Sequence, residues 1–355
     1  MPTSYPFRNL VFQGGGIKAF AYHGALQVLE EYGVLKQIDR VAGTSAGAIM
    51  ATLLSFRLDA DETIELYNTV DYSRIAEVRE DLDLPERIPR ALERELGKLK
   101  GGVGIATRFL RRYGLYANDY AHNWLMETIA DHCGGNGRAT FSEFRQRGFR
   151  DVYIVATNLS THRATVFSAE TTPHTAVADA TLMSGSIPFY FEAPLFDGEQ
   201  LGEGDYYVDG GVLSNYPLHI FDDPRFERGN RYFEHGVNWE TLGCRLFTPQ
   251  DCLLQSKPIN NLIDYIENLI ETIAEVQVVA FENSFVDQLR TISISNCGVA
   301  TTDFSITPDK SDPKYVALVE TGKAATRDYL EKYRRSSDRL FALKEKLAAL
   351  LDLWD

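Results

Sequence analysis

Residues 38–56 read IDRVAGTSAGAIMATLLSF. The run from Ile38 to Ala42 fits a short buried strand and the stretch from Ala46 through Phe56 fits an apolar helix. Only Gly43-Thr44-Ser45-Ala46-Gly47 connects them. The same arrangement stands upstream. Leu10-Val11-Phe12 reads as a strand and Gly14-Gly15-Gly16 follows; Ala21, Ala25, Val28, Leu29 and Tyr32 then recur at helical spacing before Gly33 stops the helix. Two consecutive strand–glycine turn–helix units predict an α/β fold with a mainly parallel sheet.

Residues 71–120 are charged and poor in strand signal, and they are expected to form helices inserted over that sheet. Asp151 to Thr157 returns to a buried strand, with Ala164 to Ser168 as a partner beside it. A glycine-rich, acidic region from 197 ends in Tyr206-Tyr207-Val208-Asp209-Gly210-Gly211, and residues 222–256 look irregular. Leu262, Ile266, Leu269, Ile273, Val276 and Ala280 mark one face of an amphipathic helix. Arg290 to Ser295 alternates with period two, and an amphipathic helical tail starts near Pro313. No repeat or clean linker interrupts the chain. One domain over residues 1–355 is expected, with a core at 8–220 and a C-terminal extension from about 255 to 355.

A formal net charge of -14 argues against a nucleic-acid polymer as partner, because phosphate neutralisation needs clustered Lys and Arg. The short clusters Arg108-Arg111-Arg112 and Arg145-Arg147-Arg150 read as solvated helix faces. Cys133, Cys244, Cys252 and Cys297 are scattered, with neither a CxxC pair nor histidines at ligand spacing, so no disulfide framework and no metal site is expected. The N-terminus lacks a basic start followed by an apolar run, and no stretch approaches the ~18 apolar residues of a spanning helix. The expectation is a soluble, cytoplasmic protein that visits a membrane if its substrate is a lipid.

Gly43-Thr44-Ser45-Ala46-Gly47 is a GxSxG sequence in the strand-to-helix context that exposes a serine hydroxyl at a tight turn. The helix start beside Ser45 supplies amides and a dipole suited to developing negative charge. A plain small-residue packing turn would read the same way. Gly14-Gly15-Gly16-Ile17-Lys18 can aim several amides at one anion. It also fits a dinucleotide fingerprint through Ala19, with Asp39 about 20 residues on as the ribose acid, which would make the chain a nucleotide-binding dehydrogenase. The second glycine turn, at Ser45, has no place in that reading. A Walker loop is excluded because no Gly-Lys-Ser/Thr follows the glycines. Val208-Asp209-Gly210-Gly211 places an acid at a strand end, though Asp-Gly-Gly is also ordinary turn chemistry.

Together and in this order, the three elements resemble the patatin-like phospholipases. Ala180 to Phe189 before the acid and Val212 to Pro217 after it look similar as well, and the resemblance covers roughly residues 8–220. Ala19 departs from it, standing where the family usually has glycine. The resemblance implies a three-layer α/β/α sandwich with a C-terminal helical layer, and a carboxylic ester hydrolase acting on phospholipids or other acyl lipids. It implies Ser45 as nucleophile and Asp209 as sole catalytic partner, with Gly14, Gly15, Gly16 and Ala46 as the oxyanion hole. Gly43, Gly47, Gly210 and Gly211 support the turns; Lys18 orients the loop, attracts a phosphate headgroup, or is simply solvated. No cofactor is implied. A transient membrane surface is, and regulation by a ligand, a partner or self-association stays open.

The order Ser45…Asp209…His219 or His235 also fits an α/β-hydrolase triad, but such a nucleophile normally follows several strands and Ser45 follows two. His23 reads as a packed helix histidine, and His122, His132, His162 and His174 have no motif around them. A catalytically silent lipid-binding or signalling module is the remaining alternative.

Overall fold

The computed structural model describes residues 5–76, 108–253 and 258–351, those from 337 onward by backbone alone. In the first strand, β1 (Asn9–Phe12), Leu10 and Phe12 enter one buried cluster while Val11 enters another. The same division separates Val41 from Ala42 in β2 (Arg40–Thr44) and Ile154 from Tyr153 in β4 (Asp151–Asn158). Strands apolar on both faces need cover on both, as central parallel strands do.

Helix α1 (Ala21–Glu31) joins β1 to β2. Between β2 and β4 lie α2 (Ala46–Ser55), α3 (Ala60–Tyr67), the short β3 (Gly114–Tyr116), α4 (Asp119–His132) and α5 (Phe141–Gln146). Then come β5 (Arg163–Phe167), α6 (Val177–Ser184), β6 (Phe189–Phe191), β7 (Leu195–Phe196) and β8 (Asp205–Asp209). A hairpin of β9 (Phe233–Glu234) and β10 (Val237–Asn238) leads into β11 (Thr241–Phe247). The chain closes with α7 (Leu262–Glu282), α8 (Phe285–Leu289), β12 (Thr291–Ser295) and α9 (Pro313–Leu351).

The main sheet runs β12-β11-β1-β2-β4-β8-β7, with β5 also on β4. Pairs from β12 to β4 are parallel; β8, β7 and β5 are antiparallel. One face is covered by α1, α2, α6 and α9, the other by 3-10 turns at Leu218–Asp222 and Pro224–Phe226 and the C-terminal end of α7. This is a three-layer α/β/α sandwich. Helix α9 packs on α1 backbone to backbone, because a side chain on Gly24 or Gly322 would collide with the facing carbonyl of Val319 or Ala21.

Three expectations need revision. Within the stretch 222–256, expected to be irregular, Thr241–Phe247 is a buried strand in register with β1 (Leu10 opposite Leu242), so the sheet extends past residue 220. The basic clusters are not solvated throughout: Arg111, Arg112, Arg145 and Arg147 are exposed, but one arginine of each cluster is not. Arg150 is buried and donates to the carbonyls of Leu35, Ile38 and Leu54, and Arg108 is buried against Glu192. Most of the expected insertion at 71–120 lies outside the described residues; its described end includes β3, which pairs with β6.

Candidate active site

The chain passes from β2 to α2 through one residue, Ser45, whose φ of 56° and ψ of -128° are rare for a side-chain-bearing residue. Such a conformation costs roughly 1–3 kcal/mol and persists only where the surroundings over-determine it. They do. A Cβ on Gly43 would collide with the Gly47 carbonyl, and one on Gly47 would sit 2.5 Å from the Phe12 carbonyl oxygen, so the turn closes only with glycine at both positions. The Ser45 amide donates to Ser184 Oγ at 2.9 Å, and that hydroxyl donates to the Val155 carbonyl at 2.5 Å. Ser45 occupies the N-cap of α2, yet its side chain does not cap the helix. Its hydroxyl is left for other work, and the first amides of α2 keep their free N–H groups.

The position of Asp209 follows from strand pairing. β4 pairs with β2 over residues 151–155, with β8 over 156–158, and with β5 over 154–158. A strand has two edges, and β5 overlaps both of the others, so β2 and β8 must share the opposite edge. There they meet head to head: Thr44 is opposite Val155, and Asp209 is opposite the next residue, Ala156. Ser45, which follows β2, and Asp209, which ends β8, stand 164 positions apart in sequence and are thereby brought together.

The Asp209 carboxylate accepts from the Gly211 amide at 2.7 Å. Burial pushes its pKa up from 3.8 to about 6, while hydrogen bonds from the Ser45 side chain and the Gly211 amide pull it back. Both residues are nearly buried, Ser45 at 7% and Asp209 at 6% exposure.

The glycine loop packs against this pair. The Gly14 amide donates to the Asn215 carbonyl at 3.0 Å, so it is occupied and not free for a ligand. Among the described residues the amides of Gly15, Gly16 and Ala46 have no acceptor. Gly16 has a φ of +55°. Ser45 and Gly16 line two cavities: an apolar one of about 90 Å³ among α2, α3, α4 and α6, and a wider groove of about 810 Å³ that also holds Asp209, Gly14, Gly15, Gly211 and Lys18.

The proposed triad histidines lie elsewhere. His219 faces Asp222 through Nδ1 and Asp287 through Nε2, carboxylates that push its pKa up to about 9. His235 sits exposed in the β9–β10 turn. Neither lines the cavities at Ser45. His23 is buried, bonded to the Tyr315 hydroxyl at 3.2 Å and pushed down to about 3 by burial. Asp39 precedes β2, at the end of the sheet opposite the glycine loop, where it pairs with Arg8 and Arg57. It cannot serve a dinucleotide ribose there. His122, which no motif flagged, lines the apolar cavity with its Nε2 2.9 Å from Asp179, a buried carboxylate also gripped by Arg138.

One contributor left no local signal. Gln277 of α7 donates to the Gly211 carbonyl at 2.8 Å and accepts from the Asn215 amide at 2.7 Å. Asn215 in turn bonds both backbone groups of Gly14. A single side chain thus ties the acid loop to the glycine loop. Together the parts offer a hydroxyl, an adjacent carboxylate of raised basicity, unpaired amides at a helix start, and an apolar cavity alongside.

A family model described as patatin-like phospholipase matches residues 10–222. The Bacillus subtilis protein YqhO is 30% identical over 91% of this chain and 98% of its own length. Protein R571 of Acanthamoeba polyphaga mimivirus is 29% identical over 74% of each chain. In fold the chain is similar to VipD from Legionella pneumophila, with a TM-score of 0.54 and 19% identity over 92% of this chain and 67% of that one. A match across more than half the sequence, carried by the strands and turns that assemble the site, settles descent: the chain belongs to the patatin-like phospholipase family.

Proposed function

We propose that the chain is a serine acyl hydrolase that cleaves ester bonds of membrane lipids with a Ser45–Asp209 dyad. The observation that carries this reading is the head-to-head meeting of β2 and β8, which sets the Ser45 hydroxyl against the Asp209 carboxylate. Ser45 Oγ attacks the ester carbonyl carbon as Asp209 takes its proton. The tetrahedral oxyanion is held by the amides of Gly15, Gly16 and Ala46. Collapse expels the alcohol, which leaves with the proton from Asp209. Water then attacks the acyl-serine, Asp209 accepts its proton, and the acid departs as Ser45 is reprotonated. A carboxylate raised toward neutral pH is a better base than an ordinary one, yet still ionised at pH 7. The apolar cavity suits the acyl chain. No described helix is long and apolar enough to cross a membrane, so the reading has the protein meeting its substrate as a peripheral visitor to the lipid surface.

A second reading makes His122 the base, since it shares a cavity with Ser45 and has Asp179 behind it. The dyad is preferred because strand pairing brings Asp209 beside Ser45 and the serine side chain draws its raised pKa back down, whereas His122 is bonded to Asp179. The test compares Ser45→Ala, Asp209→Asn and His122→Ala on phosphatidylcholine and on p-nitrophenyl butyrate. The dyad predicts two dead, folded proteins and an active His122 variant. A folded, dead His122→Ala sinks the dyad, and an active Ser45→Ala sinks the hydrolase reading altogether.

A further inference from the structure

Among the described residues, buried arginines have visible anchors, with one exception. Arg150 holds three carbonyls, Arg290 is gripped by Asp222 and Asp287, and Arg108 meets Glu192. Arg245 of β11 is 5% exposed as a residue, yet among the described residues its guanidinium has neither an ion pair nor a hydrogen bond; it lies over the Phe281 ring, 4.4 Å from the guanidinium carbon to the ring centroid, and none of its nitrogens is sealed from solvent. A guanidinium is always charged and presents five donors, so one set in a wall without a protein acceptor, its nitrogens open to the groove, can take an acceptor from a ligand.

Its location favours a site. Leu242, Cys244 and Leu246 of β11 enter the main core, so strand alternation turns Arg245 to the opposite side, where Phe281 packs against Tyr216. There Arg245 forms part of the wall of the groove that holds Ser45 and Asp209. The same wall carries Glu275 and Glu282 of α7, whose charges act on the guanidinium without bonding to it. Seven residues apart, these two carboxylates lie on one face of the helix. Glu271, one turn before Glu275, lines the groove as well. A groove with one sign of charge would select a simple anion or cation; this one presents both signs beside a nucleophile.

We propose that the groove is a headgroup site for a zwitterionic phosphodiester, with Arg245 taking the phosphate of the substrate lipid and Glu275 and Glu282 its ammonium. The assignment rests on the hydrolase reading above and adds a substrate class to it. Free phosphate shares the Arg245 chemistry but gains nothing from the carboxylates, which repel it. Both Arg245 and the two glutamates lie outside residues 10–222, so this selectivity belongs to the C-terminal part of the chain.

The experiment measures kcat/KM on mixed micelles of phosphatidylcholine or phosphatidylglycerol, and on p-nitrophenyl butyrate. Wild type should favour phosphatidylcholine over phosphatidylglycerol at least tenfold. Arg245→Gln should lower kcat/KM for phosphatidylcholine at least tenfold more than for the butyrate ester, with Arg245→Lys in between. Glu275→Gln combined with Glu282→Gln should shrink the choline-to-glycerol preference at least fivefold. Glycerophosphocholine should inhibit butyrate hydrolysis by wild type at lower concentration than inorganic phosphate does, a readout that needs no variant to fold. Equal losses on both substrate types would reduce Arg245 to a structural residue. A preference for phosphatidylglycerol, or stronger inhibition by inorganic phosphate, overturns the zwitterion assignment. Absence of hydrolysis of any ester by folded wild type overturns the hydrolase reading, and the headgroup site with it.

Discussion

Replacing Asp209 by Asn should abolish hydrolysis and stabilise the protein. The carboxyl is buried, and its pKa rises from 3.8 to about 6 on folding. That gap is about 2 pH units, each worth about 1.4 kcal/mol, so holding the ionised form in the fold costs about 3 kcal/mol at neutral pH. Asn matches Asp in shape, can still accept from the Gly211 amide, and carries no charge to bury. Because the folded pKa is the higher one, the native state binds the extra proton between pH 3.8 and about 6. Wild type therefore gains stability from this group as pH falls through that window, and the advantage of Asn is largest above pH 6 and fades toward pH 4. Urea unfolding of both proteins at pH 7.5 and pH 4.5 reads the difference directly. The expected result is a variant more stable by up to about 3 kcal/mol at pH 7.5 and by much less at pH 4.5, with kcat down on the order of 10³–10⁴-fold. A variant less stable than wild type at pH 7.5, or a difference that ignores pH, would refute the burial argument. The same raised pKa should make wild-type kcat/KM fall as pH drops below about 6, where a histidine base would also titrate, so variants and not the pH profile must assign the base.

Gln277→Ala removes two hydrogen bonds that tie the acid loop to the glycine loop; at roughly 1 kcal/mol each, kcat on p-nitrophenyl butyrate should fall about tenfold or more with little change in KM. Retention of most of the wild-type rate by Gln277→Ala would make the contact incidental. Gly15→Leu should depress kcat far more than KM if the loop acts on the oxyanion, as proposed, and not on the bound ester; a variant that binds poorly but turns over normally contradicts that role. His219→Ala should leave esterase activity nearly intact while lowering the melting temperature. That loss should be greatest below pH 6.5 and vanish as pH rises through about 9, since the raised histidine pKa ties the contribution to the charged ring.

The parts that sequence exposes are those where chemistry constrains a short stretch. Gly43 to Gly47 and Asp209 to Gly211 announce turns that only those residues can make, and the strands and helices around them follow from apolar spacing. β11 was illegible for a physical reason: Gly243 and Arg245 interrupt its apolar run, because Tyr216 fills the space over Gly243 and Arg245 faces the groove. That β8 runs antiparallel, and so delivers Asp209 to Ser45 from the far side, depends on pairing no local pattern encodes. Gln277 is less visible still. It stands 62 residues from Asn215 and 66 from Gly211, one polar side chain in an otherwise amphipathic helix.

The central claim is that Ser45 is the nucleophile, and covalent labelling tests it most directly. The folded protein would be treated with a fluorophosphonate, weighed intact, digested and mapped. The account predicts a single adduct on Ser45, absent from Ser45→Ala and formed much more slowly in Asp209→Asn. An adduct on another residue, or no adduct in a preparation that hydrolyses lipid esters, would contradict it.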